Sequence, residues 1–175
     1  ETTLVVLQSP ANLGEIVRHA NQLSDNLVSD MLLKNLGARI EGEGSFRAGC
    51  RAVRRALREL SVDDSGYQGD DGSGLSRTSK ISAFTTISLL AAMDRTQWAG
   101  IFRASLAGGG EPIGTLRNRF REMGFAGRVR AKTGSLDGVS ALSGYLTLLS
   151  GESIAFSCIS NYDERRGGGF KADED

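Results

Sequence analysis

Three short segments carry side chains that could do proton-transfer or anion-binding chemistry. They are Ser24-Asp25-Asn26 (the serine motif), Lys132-Thr133-Gly134 (the lysine motif), and the run from Asp71 to Arg77 (the 71–77 loop). A serine hydroxyl beside a lysine amine can relay protons, and hydroxyl and ammonium groups together can bind a carboxylate. Each segment alone is weak evidence, because tripeptides recur by chance and Ser-Asp-Asn is a good helix N-cap anywhere.

The context of the serine and lysine motifs favours a cleft. The serine motif stands where one predicted helix ends and another begins, so its side chains can project from the turn. The lysine motif closes a strand pattern and precedes a hairpin. On an edge strand its lysine and threonine can face a bound peptide, and glycine allows close backbone approach. Such a peptide would add to the sheet as a further strand.

Hydrophobic periodicity and capping residues predict the elements that must hold these motifs. Strands are expected over residues 2–8, 127–134, 138–149 and 152–161, and helices over 13–22 (capped by Asn12), 25–36 (ended by Gly37), 45–60, 78–93, 97–106 and 113–123. Residues 63–74 have a loop composition. The order predicts an α+β fold, with a helical region over about 11–123 and antiparallel sheet strands at about 2–8 and 127–161.

The apolar positions that repeat at helical spacing are the candidate core. They are Ile16, Val17 and Ala20; Leu27, Met31, Leu32 and Leu36; Cys50, Val53, Leu57 and Leu60; and Trp98 with Phe102. The basic residues between Arg47 and Arg58 alternate with apolar ones, which is typical of the solvated face of a helix.

Composition limits the function classes. The chain has 175 residues, 39% of them hydrophobic, enough for one globular domain with a core. Lys plus Arg and Asp plus Glu both number 21, so the balance favours no nucleic-acid partner. Apolar runs stay well short of the ~20 residues of a membrane span, and no signal peptide is visible.

Other titratable residues indicate structure more than chemistry. Cys50 and Cys158 could form one disulfide, but two buried free thiols are the favoured interpretation. His19 is expected on a solvated helix surface rather than as a general base. Asp63-Asp64 and Asp70-Asp71 lack a cation-binding spacing and are expected to face water. We expect no metal and no cofactor.

The motifs and their flanks together resemble a known family. Ser-Asp-Asn followed by Lys-Thr-Gly occurs in β-lactamases and penicillin-binding proteins, where both accompany Ser-x-x-Lys. The flanking segments are similar to the class C low-molecular-mass penicillin-binding proteins: Ser9-Pro10, Glu15-Ile16-Val17, Asn21, Leu36-Gly37, Asp71 to Arg77, Gly114-Thr115-Leu116, Arg119-Phe120, Gly138 and Gly144-Tyr145. The resemblance covers nearly the whole chain and is to the C-terminal portion of these proteins.

This resemblance implies a partial β-lactamase/penicillin-binding transpeptidase-like fold, with helices packed beside an antiparallel sheet. It implies a serine-type D-alanyl-D-alanine carboxypeptidase, with endopeptidase activity left open. The implied substrates are peptidoglycan peptide stems ending in D-Ala-D-Ala, and the implied inhibitors are β-lactams that acylate the nucleophile. The implied location is periplasmic or extracytoplasmic.

The resemblance also implies roles for individual residues. Ser24 would relay a proton to the leaving amine, Asn26 would bind the substrate amide, and Lys132 would place charge near the terminal carboxylate. The implied substrate-binding residues are Thr133, Gly134, Ser135, Leu75, Arg77 and Leu136. Thr133 and Ser135 would bind the carboxylate, an amide near Ser135 would serve the oxyanion, and Arg77 suits a stem-peptide carboxylate.

The sequence departs from the family in one respect. Ser-x-x-Lys is absent, because the residues three positions before the four lysines are Met31, Arg77, Val129 and Gly168. The chain alone is therefore expected to be inactive, with the nucleophile in a missing N-terminal part of the same domain. The start at Glu1, directly before a strand pattern, favours a fragment. The alternative is a non-catalytic peptidoglycan-peptide binding module, or a pseudoenzyme, on the same fold.

Overall fold

The computed structural model describes residues 11–121 and 124–163. The strand expected over 2–8 lies outside this part of the chain. Five helices and six strands are described: α1 (Leu13–Leu23), α2 (Asn26–Glu41), α3 (Phe46–Glu59), β1 (Tyr67–Gln68), β2 (Lys80–Ile81), α4 (Ala83–Met93), α5 (Ala99–Ser105), β3 (Ala107–Gly108), β4 (Val129–Leu136), β5 (Val139–Thr147) and β6 (Ser153–Asn161).

The first three helices begin at polar caps that satisfy amides of their first turns. Asn12 and Glu15 form a reciprocal capping box at α1, as expected for the predicted cap. Asp25 caps α2 by accepting from the amide of Val28, and Ser45 caps α3. Because these signals are local, the starts of the three helices agree with the sequence prediction to within about one residue.

The end of α2 was predicted wrongly. The helix continues past Gly37 to Glu41 and closes on Gly42, which has a φ of 76°. Gly37 is buried where α3 crosses, and a Cβ there would lie 2.6 Å from the amide nitrogen of Gly49. The glycine is therefore needed for close packing of two helices, not for the left-handed conformation that ends one.

The long helix predicted over 78–93 is shorter than expected. Its first residues form β2, which pairs antiparallel with β1 inside the stretch predicted as loop. Helix α4 begins only after Ser82, whose Oγ accepts from the amide of Thr85. The cap and the strand pairing together use the backbone groups that a longer helix would need.

The helix predicted over 113–123 is absent from its described part, residues 113–121, which forms turns. Gly114 and Phe120 have positive φ values of 111° and 66°, which interrupt a right-handed helix. The amide of Thr115 donates to the carbonyl of Gln22 at 3.0 Å, so the segment bonds to α1 as well as forming short turns of its own. The hydrophobic pattern along residues 113–121 could not reveal that a backbone amide of this segment has its partner on α1.

The main sheet has the order β3-β4-β5-β6, with all neighbours antiparallel. The three long strands were predicted, and their bounds differ from the expected ones by no more than two residues at either end. Strand β3 was not predicted, because a strand of two residues is too short to show an alternating hydrophobic pattern. It pairs only with Arg130 and Ala131, so β4 from Lys132 onward has no described neighbour on that side.

The two faces of the sheet pack against different segments. Tyr145 faces α4 and α5, contacts Leu90 and Leu106, and donates its hydroxyl to the carbonyl of Leu90 at 2.8 Å. The opposite face carries Val129 and Ala131, which pack against Leu116, Phe120 and Phe125. Side chains alternate along a strand, so Lys132 lies on the same face as Tyr145 and is directed towards the helices.

Several predicted core residues are exposed in the described part of the chain. Leu27 is 69% exposed, Met31 40% and Trp98 57%, whereas Phe102 packs edge-to-face on Tyr145. On α2, the residues buried are Leu33 and Gly37, because α3 lies against a different face from the one that the sequence indicated. The arginines Arg47, Arg51, Arg55 and Arg58 are exposed, which confirms the solvated face of α3.

The two cysteines are free, as expected, but only one is inside. Cys50 is half-buried beside Tyr67, whereas Cys158 is exposed on β6, so the prediction of two buried thiols was wrong for Cys158. Burial raises the pKa of the Cys50 thiol above its ordinary value. Within residues 11–121 and 124–163, no helix is both long and apolar enough to cross a membrane.

Candidate active site

Ser24 forms the turn between α1 and α2 in a strained backbone conformation. Its φ and ψ are 57° and 47°, in the left-handed region, which costs a non-glycine residue about 1–2 kcal/mol. Its amide and that of Asp25 both donate to the carbonyl of Ala20, which closes α1. In this conformation the Ser24 hydroxyl faces the sheet, where it contacts Lys132 of β4. Strain of this kind persists where the surroundings hold it, and it concentrates at functional sites.

Lys132 meets Ser24 from the sheet. Its Nζ donates to Ser24 Oγ at 2.7 Å and to the carbonyl of Thr133 at 2.7 Å, although 108 positions separate Lys132 from Ser24. An ammonium has three protons, so these two bonds leave one for a further acceptor. Burial lowers the pKa of the Lys132 amine below its ordinary value, because desolvation disfavours the charged form. A lysine in this state exchanges protons more readily than one in water.

Asp25 and Asn26 have different surroundings. The Asp25 carboxylate accepts from the amide of Val28 and from His19 Nε2, both at 3.0 Å, and these bonds hold its pKa below the ordinary value. Asn26, the first residue of α2, is exposed and its carboxamide bonds to no other residue within the described ranges. The serine motif therefore has one member that fastens the turn, one that meets Lys132, and one, Asn26, whose carboxamide faces outward.

The edge of β4 that has no neighbour among the described residues presents backbone groups beside this pair. The carbonyl of Val129 accepts from the amide of Gly109 at 2.9 Å, on the β3 side. Peptide groups alternate in direction along a strand, so those of Thr133 and Ser135 point to the same side, beyond the end of β3. The edge can pair with an extended chain, as the sequence predicted.

Gly134 lies between those residues and is exposed. A Cβ at Gly134 would be in ordinary contact with Ala141, at 3.4 Å, so the fold of the chain itself would tolerate alanine there. The glycine is on the same face as Lys132, and its missing side chain leaves space in front of the strand.

The 71–77 loop is fastened to α2 and to itself. Asp30 Oδ1 accepts from the amides of Gly72 and Ser73, both at 2.9 Å. Burial by itself raises the pKa of Asp71, but bonds from Ser73, Ser79 and the amides of Leu75 and Ser76 outweigh it, so that the pKa is lowered overall. The loop is thus built around one ionised carboxylate.

Arg77 reaches the turn between β4 and β5. Its Nη1 donates to the carbonyl of Asp137 at 2.6 Å, and its Nη2 lies 3.7 Å from the Asp137 carboxylate. The structure therefore brings Arg77 beside the turn that begins at Leu136, and Leu75 is 54% exposed in the same loop. No hydrogen bond between described residues joins Leu75, Arg77 or Leu136 directly to Ser24 or Lys132. The 71–77 loop is connected to the serine motif through α2, which carries Asp30.

Two residues that position the site were missed from the sequence. Asn21 Nδ2 donates to Ser105 Oγ at 2.8 Å and thereby fixes the end of α1 on α5. Asp30 fixes the 71–77 loop. Asp30 stands one helical turn after Asn26, and that spacing could have marked it as sharing a helix face with the motif. Asn21 was singled out only as part of the family resemblance, and the sequence could not indicate its positioning role because its partner Ser105 is distant in the chain.

The acidic pairs hold loops rather than facing water alone. Asp64 pairs with Arg54 at 3.3 Å and Arg58 at 2.9 Å, and Asp70 accepts from Ser76 and Thr78. Within the described residues, no group of three or more His, Cys, Asp or Glu side chains could hold a metal ion.

Sequence comparisons show the family to which the chain is similar. A profile of the D-Ala-D-Ala carboxypeptidase 3 (S13) family matches residues 1–172. The D-alanyl-D-alanine carboxypeptidase of Actinomadura sp. strain R39 is 43% identical over 155 residues, which are 86% of this chain and 29% of that protein. The carboxypeptidase DacB of Mycolicibacterium smegmatis is 36% identical over 168 residues, 91% of this chain and 36% of that protein.

Solved structures share the fold. Penicillin-binding protein 4 of Haemophilus influenzae superposes with a TM-score of 0.76 at 26% identity, over 91% of this chain and 35% of that one. Its complex with a β-lactam gives a TM-score of 0.76 at 25% identity, over 97% and 41%. The chain thus spans roughly a third of the curated relatives described above, 29% and 36% of their lengths. The partial penicillin-binding fold predicted from the motifs is confirmed, and the chain belongs to the D-Ala-D-Ala carboxypeptidase 3 (S13) family.

Proposed function

We propose that the full-length protein is a serine-type D-alanyl-D-alanine carboxypeptidase that acts on peptidoglycan peptide stems outside the cytoplasm. The observation that carries the proposal is the 2.7 Å bond between Lys132 Nζ and Ser24 Oγ. It joins the two family motifs into one proton-transfer pair beside an open strand edge. This chain contributes that pair and the strand, and the nucleophile comes from the rest of the protein.

The reaction is an acyl transfer. A serine Oγ supplied by the rest of the protein attacks the carbonyl carbon of the penultimate D-Ala, and the bond to the terminal D-Ala nitrogen breaks. The proton of the attacking serine goes to the lysine of its own Ser-x-x-Lys motif, and Ser24 relays a proton from that lysine to the leaving amine, with Lys132 as its hydrogen-bonded neighbour. Asn26 binds the substrate amide. Water then hydrolyses the acyl-enzyme. β-Lactams acylate the same serine in the first step, and their acyl-enzymes are hydrolysed slowly.

The strand edge holds the substrate for this attack. The stem peptide pairs with the outward peptide groups of Thr133 and Ser135, and the Ser135 amide is one donor to the oxyanion. The Thr133 and Ser135 hydroxyls and the Lys132 charge bind the terminal carboxylate. Gly134 leaves space for the chain to approach.

The side chain of the stem peptide meets a second set of residues. Leu75 and Leu136 supply apolar surface, and Arg77 binds a carboxylate, such as that of a diaminopimelate residue. The support is the contact of Arg77 with the turn after Leu136, which brings the 71–77 loop and the β4–β5 hairpin together. Cleavage of cross-links as an endopeptidase would use the same groups with a longer leaving peptide.

The direct test is covalent labelling with a fluorescent penicillin. The full-length protein is expected to be labelled at a serine outside these 175 residues, and the 175-residue chain alone to remain unlabelled. A labelled site within the chain would contradict the assignment of the nucleophile. Absence of labelling of the full-length protein would contradict the proposed activity.

A second candidate is a non-catalytic module that binds peptidoglycan peptides. It is favoured by one observation, the absence of Ser-x-x-Lys from the chain. Calorimetric titration with an acyl-D-Ala-D-Ala peptide separates the two candidates. Binding by the full-length protein without penicillin labelling or release of D-Ala would support the module, and release of D-Ala would exclude it.

A further inference from the structure

The carboxylate of Asp25 bridges the two helices that flank Ser24. Its Oδ1 accepts from the amide of Val28 at the start of α2, and its Oδ2 lies 3.0 Å from His19 Nε2 near the end of α1. An ionised carboxylate only accepts, so the histidine nitrogen is the donor. Six positions separate His19 from Asp25, and the strained residue lies between them.

The turn needs such a bridge because of its conformation. Ser24 has a left-handed backbone at a φ of 57°, an arrangement that relaxes unless its neighbours fix it. On the α1 side, the amides of Ser24 and Asp25 share a single acceptor, the carbonyl of Ala20. The bond from His19 is the side-chain connection from α1 to the same turn. Its loss would leave the Asp25 carboxylate held from the α2 side alone, with only the backbone bond to Ala20 remaining on the α1 side.

The position of His19 suits this task. Its side chain is 50% exposed, and the sequence indicated a merely solvated residue. It lines a groove that also contains Glu15, Arg18, Gln22 and Val28. Glu15 is engaged with the amide of Asn12, and Asp25 is the acceptor that His19 reaches.

We propose that His19 is a positioning residue for the serine motif: by donating from Nε2 to Asp25, it holds the turn that directs Ser24 Oγ at Lys132. This inference rests on the proposed function, because it assigns His19 an effect on acylation. His19 does not contact the reacting atoms. Its effect passes through Asp25, so it depends on a donor at the Nε2 position and not on an imidazole ring.

The test compares two replacements of His19 in the full-length protein. Gln places an amide donor near the position of Nε2, whereas Leu fills similar space without a donor. His19→Leu is expected to lower the second-order rate of acylation by penicillin about three- to fivefold, the equivalent of one partly exposed ion pair. His19→Gln is expected to retain the wild-type rate to within about twofold. Arg18→Gln, its exposed neighbour on α1, is the matched control and should change nothing.

A double-mutant cycle with Asp25→Asn identifies the route. If His19 acts through Asp25, the double variant His19→Leu/Asp25→Asn should be no slower than Asp25→Asn alone. Additive losses would overturn the proposal, and so would equal rates for His19→Leu and wild type. Loss in both the Leu and Gln variants would also overturn it, because it would show that the ring and not the donor matters.

Hydrogen exchange separates this inference from the proposed function. His19→Leu is expected to speed amide exchange in a peptide covering residues 21–32 about threefold or more, and His19→Gln is not. If His19→Leu speeds amide exchange relative to wild type but the wild-type protein is not acylated, the proposed function fails while the positioning role stands. Unchanged exchange in His19→Leu contradicts the positioning role, whatever the labelling shows.

Discussion

Lys132 Nζ lies 2.7 Å from Ser24 Oγ, and the two residues come from a sheet strand and a helix–helix turn that are 108 positions apart in the chain. Each residue is directed towards the other by its own element. The alternation of β4 places Lys132 on the helix-facing side of the sheet, and the left-handed turn directs the Ser24 hydroxyl back towards it. Neither the strand nor the turn forms a proton-transfer pair without the other.

Replacement of Ser24 should separate stability from activity. Ser24→Gly and Ser24→Ala both remove the hydroxyl, so both should lower acylation by about 10²- to 10⁴-fold, the usual contribution of a proton relay. Glycine adopts a φ of 57° freely and alanine does not. Ser24→Gly should therefore be more stable than Ser24→Ala by about 1 kcal/mol in urea unfolding of the full-length protein. Equal stability of the two variants would show that the turn relaxes at no cost.

Removal of the Lys132 amine should slow acylation strongly. Lys132→Ala in the full-length protein is expected to weaken transition-state stabilisation by ~2–4 kcal/mol, the range for a preorganised electrostatic contact. The measurement is the second-order rate of labelling by a fluorescent penicillin. Lys80→Ala is the matched control, since Lys80 is an exposed lysine on β2. An unchanged rate in Lys132→Ala would remove this residue from the site.

Asp71 should make the stability of the 71–77 loop depend on pH. Its folded pKa is lowered, so its stabilisation is complete above the ordinary aspartate value of about 3.9 and is lost as pH falls through the folded value. Asp71→Asn should be less stable than wild type at pH 6, by on the order of 1 kcal/mol after solvent screening. The difference in free energy of unfolding should shrink between pH 5 and pH 2. A difference that stays constant with pH would show that the carboxylate charge is not involved.

The glycine at the crossing of α2 and α3 should not accept a side chain. A Cβ at Gly37 would meet the backbone of Gly49, so Gly37→Ala is expected to destabilise the protein by about 1–3 kcal/mol. Gly100 in α5 has open space around it, and Gly100→Ala should leave stability unchanged or raise it by up to about 1 kcal/mol. Urea unfolding of both variants is the measurement. A loss of stability at Gly100 as large as at Gly37 would contradict this packing explanation.

Local chemistry made part of the fold predictable. Asn12 marks the start of α1 because a cap bonds to amides two or three positions away. The strand pattern before the lysine motif is β4, whose residues from Val129 to Lys132 alternate between buried and half-buried. The end of α2 was not predictable, because Gly37 and Gly49 are needed by contact with each other. The turns over residues 113–121 were not predictable either, because the amide of Thr115 donates to the carbonyl of Gln22, a residue of α1 that is distant in the chain.

The sequence by itself determined the serine and lysine motifs, the 71–77 loop, and through them the family. Only the tertiary structure decided that Lys132 meets Ser24, that no residue within 11–121 and 124–163 pairs with β4 beyond β3, and that His19 reaches Asp25. The physical reason is that residue type and spacing act over a few positions. The meeting of distant side chains depends on how α1 is fixed to α5, through bonds such as Asn21 to Ser105, and on which face of the sheet the helices cover.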